Sequence, residues 1–160
     1  MLNEQTVSKM YAMKLAGMAS SFEKFMGNPK SADLTFEELV GFMVDEEFTR
    51  RENLKLQRLL NNAKFKQQAH MEDIDYKQSR GLHKQIVVEL SSCAWVEHHQ
   101  NVLISGPTGV GKTYIACAVG TAACRKGHTV LYTRAPKFFT MLFQATAPHW
   151  GQTARQLRPN

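Results

Sequence analysis

Apolar residues recur at helical spacing over the first 62 positions. Val7, Met10, Tyr11, Leu15, Met18, Phe22 and Phe25 stand three and four apart, which predicts one amphipathic helix over residues 4–27. Gly27-Asn28-Pro29 ends it, because proline cannot continue a helix. A second helix is expected from Thr35 to about Asn62, with Phe36, Leu39, Val40, Met43, Phe48, Leu56, Leu59 and Leu60 on its apolar side. Thr35 and Glu38 have the spacing of a capping box, in which each side chain accepts from the other's backbone amide. Glu46–Arg50 and Glu47–Arg51 are spaced as ion pairs one turn apart. Arg50, Arg51, Lys55 and Arg58 form a basic patch beside them, read as a solvated face.

The pattern then changes. Residues 63–80 are polar and irregular and read as a linker. Gly81–Ser92 predicts a helix with Leu82, Ile86 and Leu90 on one side and Trp95 packed beneath. His98-His99-Gln100 is a polar break, and Asn101–Ser105 is a short apolar run expected to be a strand. Tyr114–Cys124 is a helix of small residues that should be largely buried, stopped by Lys126-Gly127-His128. Thr129–Thr133 predicts a second strand, and Pro136 opens a short helix over Lys137–Ala145. Residues 147–160 show no periodicity and read as an irregular tail.

Composition adds bounds. Hydrophobic residues are 43% and charged residues 21% of the chain, an ordinary globular mixture. No stretch reaches the ~18 apolar residues of a membrane helix, and Met1–Gln5 lacks the basic start and apolar block of a signal peptide. A cytoplasmic protein with no membrane partner is expected. Cys93, Cys117 and Cys124 form no C-x-x-C pair, which argues against a disulfide framework and a zinc site, and Cys117 and Cys124, seven apart on one helix face, read as two buried thiols. The net charge of +6 is unevenly placed: all 14 acidic residues lie in 1–97, and 98–160 holds seven Lys and Arg with no Asp or Glu. Such asymmetry suits contact with phosphates or nucleic acid, but seven cations over that length are too sparse to establish it.

The chemistry-bearing motif sits where the charge changes. Gly106-Pro107-Thr108-Gly109-Val110-Gly111-Lys112-Thr113 matches G-x-x-x-x-G-K-[ST] in full, between the first strand candidate and the small-residue helix. Glycines let successive backbone amides turn inward around an anion, and the helix beginning near Lys112 adds the positive end of its dipole. Lys112 supplies a point charge for the β and γ phosphates, and the Thr113 hydroxyl is suited to ligate Mg²⁺. The motif therefore predicts ATP with Mg²⁺ as cofactors. Hydrolysis in this class also uses an acidic strand end to orient the metal, and no Asp or Glu follows Glu97. The expectation is a chain that binds ATP and hydrolyses it poorly, with no catalytic residue of its own.

A family resemblance follows from five segments in order: Thr35-Phe36-Glu37-Glu38-Leu39-Val40, Arg51-Glu52-Asn53, Arg80-Gly81-Leu82, Val102 through Thr113, and Val130-Leu131-Tyr132-Thr133-Arg134. The chain resembles the IstB-like helper ATPases of bacterial insertion sequences, relatives of DnaC-type helicase loaders in the AAA+ class, over about residues 5–146. The resemblance implies a helical module (1–62), a linker (63–80) and a three-layer α/β P-loop domain, here partial (81–146), followed by the tail (147–160). It implies a transposase of the same element and DNA as partners, ATP-dependent self-assembly, and Ile74 and Tyr76 flanking the adenine. The family's acidic strand, sensor strand and arginine finger do not follow Leu142, so a copy truncated by a frameshift or early stop is expected. In the family's sheet two later strands separate the two found here, which would leave both without partners. A helicase loader, or a non-enzymatic interaction module built on residues 1–62 with a vestigial P-loop domain, are the competing readings.

Overall fold

The structure is a computed structural model of the chain, and it describes residues 2–29, 33–75 and 82–146. The helices are α1 (Leu2–Ala12), α2 (Ala16–Met26), α3 (Phe36–Ala63), α4 (Lys84–Ser92), α5 (Ala94–Glu97), α6 (Lys112–Arg125) and α7 (Ala135–Thr146), with a 3-10 turn at Met71–Asp73. The contacts divide the chain into two compact units, Met1–Arg58 and Leu59–Asn160, so the last turn of α3 belongs to the second.

The first unit corrects one expectation. The pattern over 4–27 gives two helices, because α1 closes at Met13–Leu15. Lys14 adopts the left-handed conformation (φ 61°), its amide donating to Tyr11 O while that of Leu15 donates to Met10 O. This is a Schellman closure with lysine where glycine is usual, and hydrophobic spacing alone does not reveal it. Tyr11 Oη lies 3.5 Å from Glu23 Oε2 and Asn3 Nδ2 lies 3.9 Å from Met26 Sδ, so α1 and α2 pair as a helical hairpin.

The capping box at the start of α3 forms as expected: the Thr35 amide donates to Glu38 Oε2 at 2.8 Å and the Glu38 amide to Thr35 Oγ1 at 3.3 Å. Of the two expected ion pairs, Glu47–Arg51 forms and Glu46–Arg50 does not. Glu46 faces Lys24 at 3.8 Å in solvent, while Glu47 takes both Arg50 (3.0 Å) and Arg51 (2.7 Å). Glu47 is buried and also accepts the Gly17 amide of α2 at 2.7 Å. Arg50 passes on to Lys14 O at 3.1 Å, tying the α1–α2 closure to the same carboxylate. Gly17 permits this approach, since a Cβ there would stand 2.7 Å from Glu47 Cα. Phe25 packs on Phe42 alongside, with ring centroids 6.2 Å apart.

The second unit is built on α6. Cys117, Ala118, Val119, Gly120, Thr121, Ala123 and Cys124 are buried along it, as the small-residue pattern predicts. Cys117, Ala118 and Val119 pack with Val87 of α4 and with Ala69 and Met71 of the segment after α3. That segment, residues 64–75, lies along α6 as a strap. Phe65 covers Gly120, Tyr114 Oη donates to His70 O at 3.4 Å, and Arg125 pairs with Glu72. Trp95 packs against this core and donates its indole N–H to Leu90 O at 3.2 Å. The largest side chains wholly buried among the described residues are Cys93, Cys117 and Cys124, so the core is one of small groups.

The α/β expectation is not confirmed by the described residues. Among the described residues no strand forms: 101–105 and 129–133 run without regular secondary structure. A strand exists only through ladder bonds to a neighbour. Tyr132 instead donates its amide to Ala63 O at 2.8 Å, and Leu103 and Leu131 are exposed. Next to this segment α7 carries Phe138, Phe139, Met141, Leu142 and Phe143, all exposed. The tail over 147–160 lies outside the described residues.

Glu47 generates the first prediction. Its pKa is lowered from 4.5 to about 2, first by the hydrogen bond from Arg50, against the opposing effect of burial, with Arg51 and the Gly17 amide adding to the lowering. A depressed carboxylate stabilises the fold fully above its unfolded value and ceases to do so as pH falls through its folded value. Denaturant midpoints of the chain should therefore drop as pH falls from about 4.5 toward about 2, and Glu47→Gln should flatten that dependence. A second expected outcome concerns Lys14: glycine at this left-handed position should raise stability by about 1 kcal/mol, read as a higher urea midpoint.

Candidate functional site

The glycine-rich loop stands between residues 101–105 and the first turn of α6. Gly106, Gly109 and Gly111 have φ of 148°, 88° and 95°, conformations that side chains with a Cβ rarely adopt. Each glycine of the motif thus occupies a position that requires one. A Cβ on Gly106 would meet Val110 Cγ2 at 3.5 Å, while one on Gly109 would meet nothing within 4 Å, so Gly109 is there for its backbone angle and not for space.

Gly111 caps α6 at its N-terminus, and Lys112 is the first helical residue. The first regular bond runs from the Ile115 amide to Gly111 O at 3.0 Å. The opening amides of such a helix have no intrahelical carbonyl, which leaves donors and a positive dipole end at the loop. Gly106, Pro107, Thr108 and Gly109 are exposed, whereas Val110, Gly111, Lys112 and Thr113 are half-buried. Lys112 Nζ folds back across the loop and donates to Gly106 O at 2.8 Å and Pro107 O at 2.6 Å. Those two contacts hold the ammonium over the mouth of the loop. The structure thus brings all eight motif residues into one turn, and these observations fit a phosphate group: inward-capable glycines, a helix N-terminus and a cation at one point.

A cavity of about 480 Å³ adjoins the loop. Gly111 and Lys112 form one side, Ile104 and Ser105 another, and Leu82, Ile86 and Leu90 of α4 and its approach a third. Asp73, Ile74 and Asp75 close it, carried there by the strap along α6. Ile74 lines this cavity, and Tyr76 lies outside the described residues. The two aspartates were not legible as neighbours of the loop. They stand 30 or more residues before it in the chain, and only the fold of the strap brings them near. Their nearest sequence signal is the alternation Asp73-Ile74-Asp75, which says nothing of its destination.

Lys112 sits among no group of three or more His, Cys, Asp or Glu able to hold a metal, and no such group is found among the described residues. Thr113 remains the chain's own candidate for Mg²⁺ from the motif. The expected buried thiols are confirmed in place. Cys93 and Cys124 have pKa values raised, first by desolvation. Among the described residues no helix is long and apolar enough to cross a membrane.

Comparison with known proteins bears on this loop directly. The pattern that defines IstB-like ATP binding proteins matches residues 8–159. The chain is 38% identical over 159 residues to the ATP-binding protein of insertion sequence IS1162 from Pseudomonas fluorescens, covering 98% of this chain and 69% of that protein. It is 39% identical over 158 residues to the insertion sequence ATP-binding protein y4pL of Sinorhizobium fredii, covering 99% and 64%. An ATP-binding protein in an insertion sequence of Mycobacterium tuberculosis is 31% identical over 145 residues, covering 90% and 58%. The chain thus spans 58–69% of the length of these relatives.

The geometry beneath the loop gives a prediction. A Cβ on Gly120 would stand 2.5 Å from Phe65 Cε1 and 2.8 Å from Cζ, and 3.4 Å from Val130 Cγ1. Gly120→Val should displace Phe65 and loosen the strap, lowering stability by about 1–3 kcal/mol as overpacking does. Urea unfolding followed by Trp fluorescence reads this; an unchanged midpoint would show that the strap does not depend on that contact.

Proposed function

Since the chain belongs to the family of IstB-like ATP binding proteins, we propose that it is an ATP-binding helper of DNA transposition that holds ATP without hydrolysing it efficiently. One observation carries this reading: the loop Gly106–Thr113, with three left-handed glycines, leads directly into the N-terminus of α6 with Lys112 poised over it. In the proposed complex the loop amides surround the β-phosphate. Lys112 exchanges its two backbone carbonyls for β- and γ-phosphate oxygens, which are stronger acceptors because they carry charge. The Thr113 hydroxyl is the chain's ligand for Mg²⁺, whose charge offsets that of the phosphates.

Slow hydrolysis by these residues on their own is supported by the composition of 98–160, which holds seven cations and no carboxylate to orient the metal or polarise a water. The three-layer α/β arrangement of an AAA+ core is part of the same proposal. Residues 101–105 and 129–133 are the segments that would enter its sheet when neighbouring strands lie alongside. A transposase of the same element, DNA and further copies of the chain are the proposed partners, supported by relatives that are named for insertion sequences. Those names favour the transposition branch over a helicase loader.

Titration of the chain with a fluorescent ATP analogue and Mg²⁺ tests the reading. Lys112→Ala removes charge-assisted hydrogen bonds worth about 1.5–3 kcal/mol, so affinity should fall about 10- to 150-fold. Absence of binding by the unmutated chain would overturn the ATP-binding reading. Steady ATP turnover that disappears with Lys112→Ala would overturn the claim of poor hydrolysis.

A further inference from the structure

Helix α3 carries two apolar faces, and the first unit covers one of them. Met43 and Glu47 are buried on the side where α2 lies, with Gly17 against Glu47 and Phe25 on Phe42. Phe36, Val40, Val44 and Phe48 stand four residues apart, the spacing of a ridge that packs against another helix. They are 76%, 37%, 50% and 66% exposed. Gly41 stands beside this ridge, one turn before Val44. A Cβ there would meet nothing within 4 Å. Glycine inside a helix costs about 1 kcal/mol relative to alanine, and no contact among the described residues requires it here. Its effect is to leave the α3 backbone open to close approach from outside.

The charge pattern selects what approaches. From Phe36 to Glu47 the helix holds Glu37, Glu38, Asp45, Glu46 and Glu47 and no Lys or Arg. From Phe48 to Ala63 it holds Arg50, Arg51, Lys55 and Arg58 against one carboxylate, Glu52. Glu47 takes up Arg50 and Arg51, and Glu46 faces Lys24. Glu37, Asp45, Lys55 and Arg58 are exposed, with Lys55 3.9 Å from Glu52 in solvent. A uniformly acidic or basic partner would be attracted by one half of this helix and repelled by the other. A second α3 running antiparallel sets acidic half beside basic half at both ends. Two-fold symmetry produces that arrangement and makes every contact twice.

We propose that the outer face of α3 is a homodimer interface, in which two copies of the chain pack antiparallel across Val44 and Phe48, with Gly41 admitting the second helix. The acidic flank of one copy, Glu37 and Asp45, lies toward the basic flank of the other, Lys55 and Arg58. No part of the phosphate loop takes part, so this pairing goes beyond ATP-driven assembly and forms without nucleotide. A single helix pair buries less than the ~1,200–2,000 Å² of a standard interface, which sets the affinity in the micromolar range.

Sedimentation velocity of the full chain, without nucleotide, at low salt and over about 1–200 µM, tests the pairing. The unmutated chain should pass from monomer to dimer. Phe48→Ser should raise the dissociation constant at least about tenfold, since an aromatic anchor at a two-fold is lost twice. E37K/D45K and K55E/R58E should each weaken the dimer about tenfold, and an equimolar mixture of the two should restore it, because each then presents the charge the other needs. All five positions are exposed, so helical circular dichroism should be kept; if F48S does not fold, the charge exchange carries the test. A chain that stays monomeric throughout overturns the inference. Dimerisation that F48S leaves unchanged puts the contact on another surface, α7 included, and overturns it. Charge variants that dimerise normally, or that do not recover on mixing, overturn it as well. With no nucleotide present, none of these outcomes bears on the ATP-binding reading.

Discussion

Close approach of neighbouring side chains to the backbone of α6 is the constraint on which the second unit depends. The helix presents Cys117, Ala118 and Gly120 where larger residues would hold its neighbours away, and Phe65 occupies the space a side chain on Gly120 would fill. Because the strap and α4 can then lie close, the N-terminal turn of α6 is fixed in place. The phosphate loop is attached to that turn. A core of small groups gives fewer dispersion contacts per residue than one of Leu and Phe, so its stability comes from fit and not from bulk. The site is thus held by shape, and each glycine or alanine of α6 matters for what it leaves out.

In the first unit the organising element is electrostatic. Glu47 gathers the Gly17 amide and the guanidinium groups of Arg50 and Arg51, and Arg50 continues to the Lys14 carbonyl. A single carboxylate thereby joins the start of α2, the closure of α1 and the face of α3. Burying it is acceptable only because every approach is by a donor. Removing one partner would leave a charge in a place with little water.

The features legible in the sequence are those fixed by local chemistry. The loop Gly106–Thr113 was readable because its glycine positions are dictated by backbone angles, and the structure shows φ between 88° and 148° at all three. The capping box at Thr35 and Glu38 was readable for the same reason: both partners lie within one turn. Burial of α6 followed from its small residues. The misreadings share an opposite origin. The break at Lys14 came from a left-handed residue that is not glycine. Arg50 left Glu46 for Glu47 because Gly17, 30 residues away from Glu47, opens a buried site beside it. The segments at 101–105 and 129–133 have strand composition, but pairing is a property of two segments and neither has a partner among the described residues. Asp73 and Asp75 reached the cavity through a strap that read as a linker.

One feature of the fold sets how the chain behaves among other molecules. Helix α7 turns Phe138, Phe139, Leu142 and Phe143 toward water, with Phe143 at 77% exposure. Such a face lowers its free energy by meeting any apolar surface, with no need for a specific fit. The region that carries it bears only positive charge, and like charge slows the meeting of two copies while leaving it favourable at short range. The consequence is colloidal: salt, by screening that repulsion, should turn a dispersed preparation into a self-associating one, with this twelve-residue helix among the surfaces that meet.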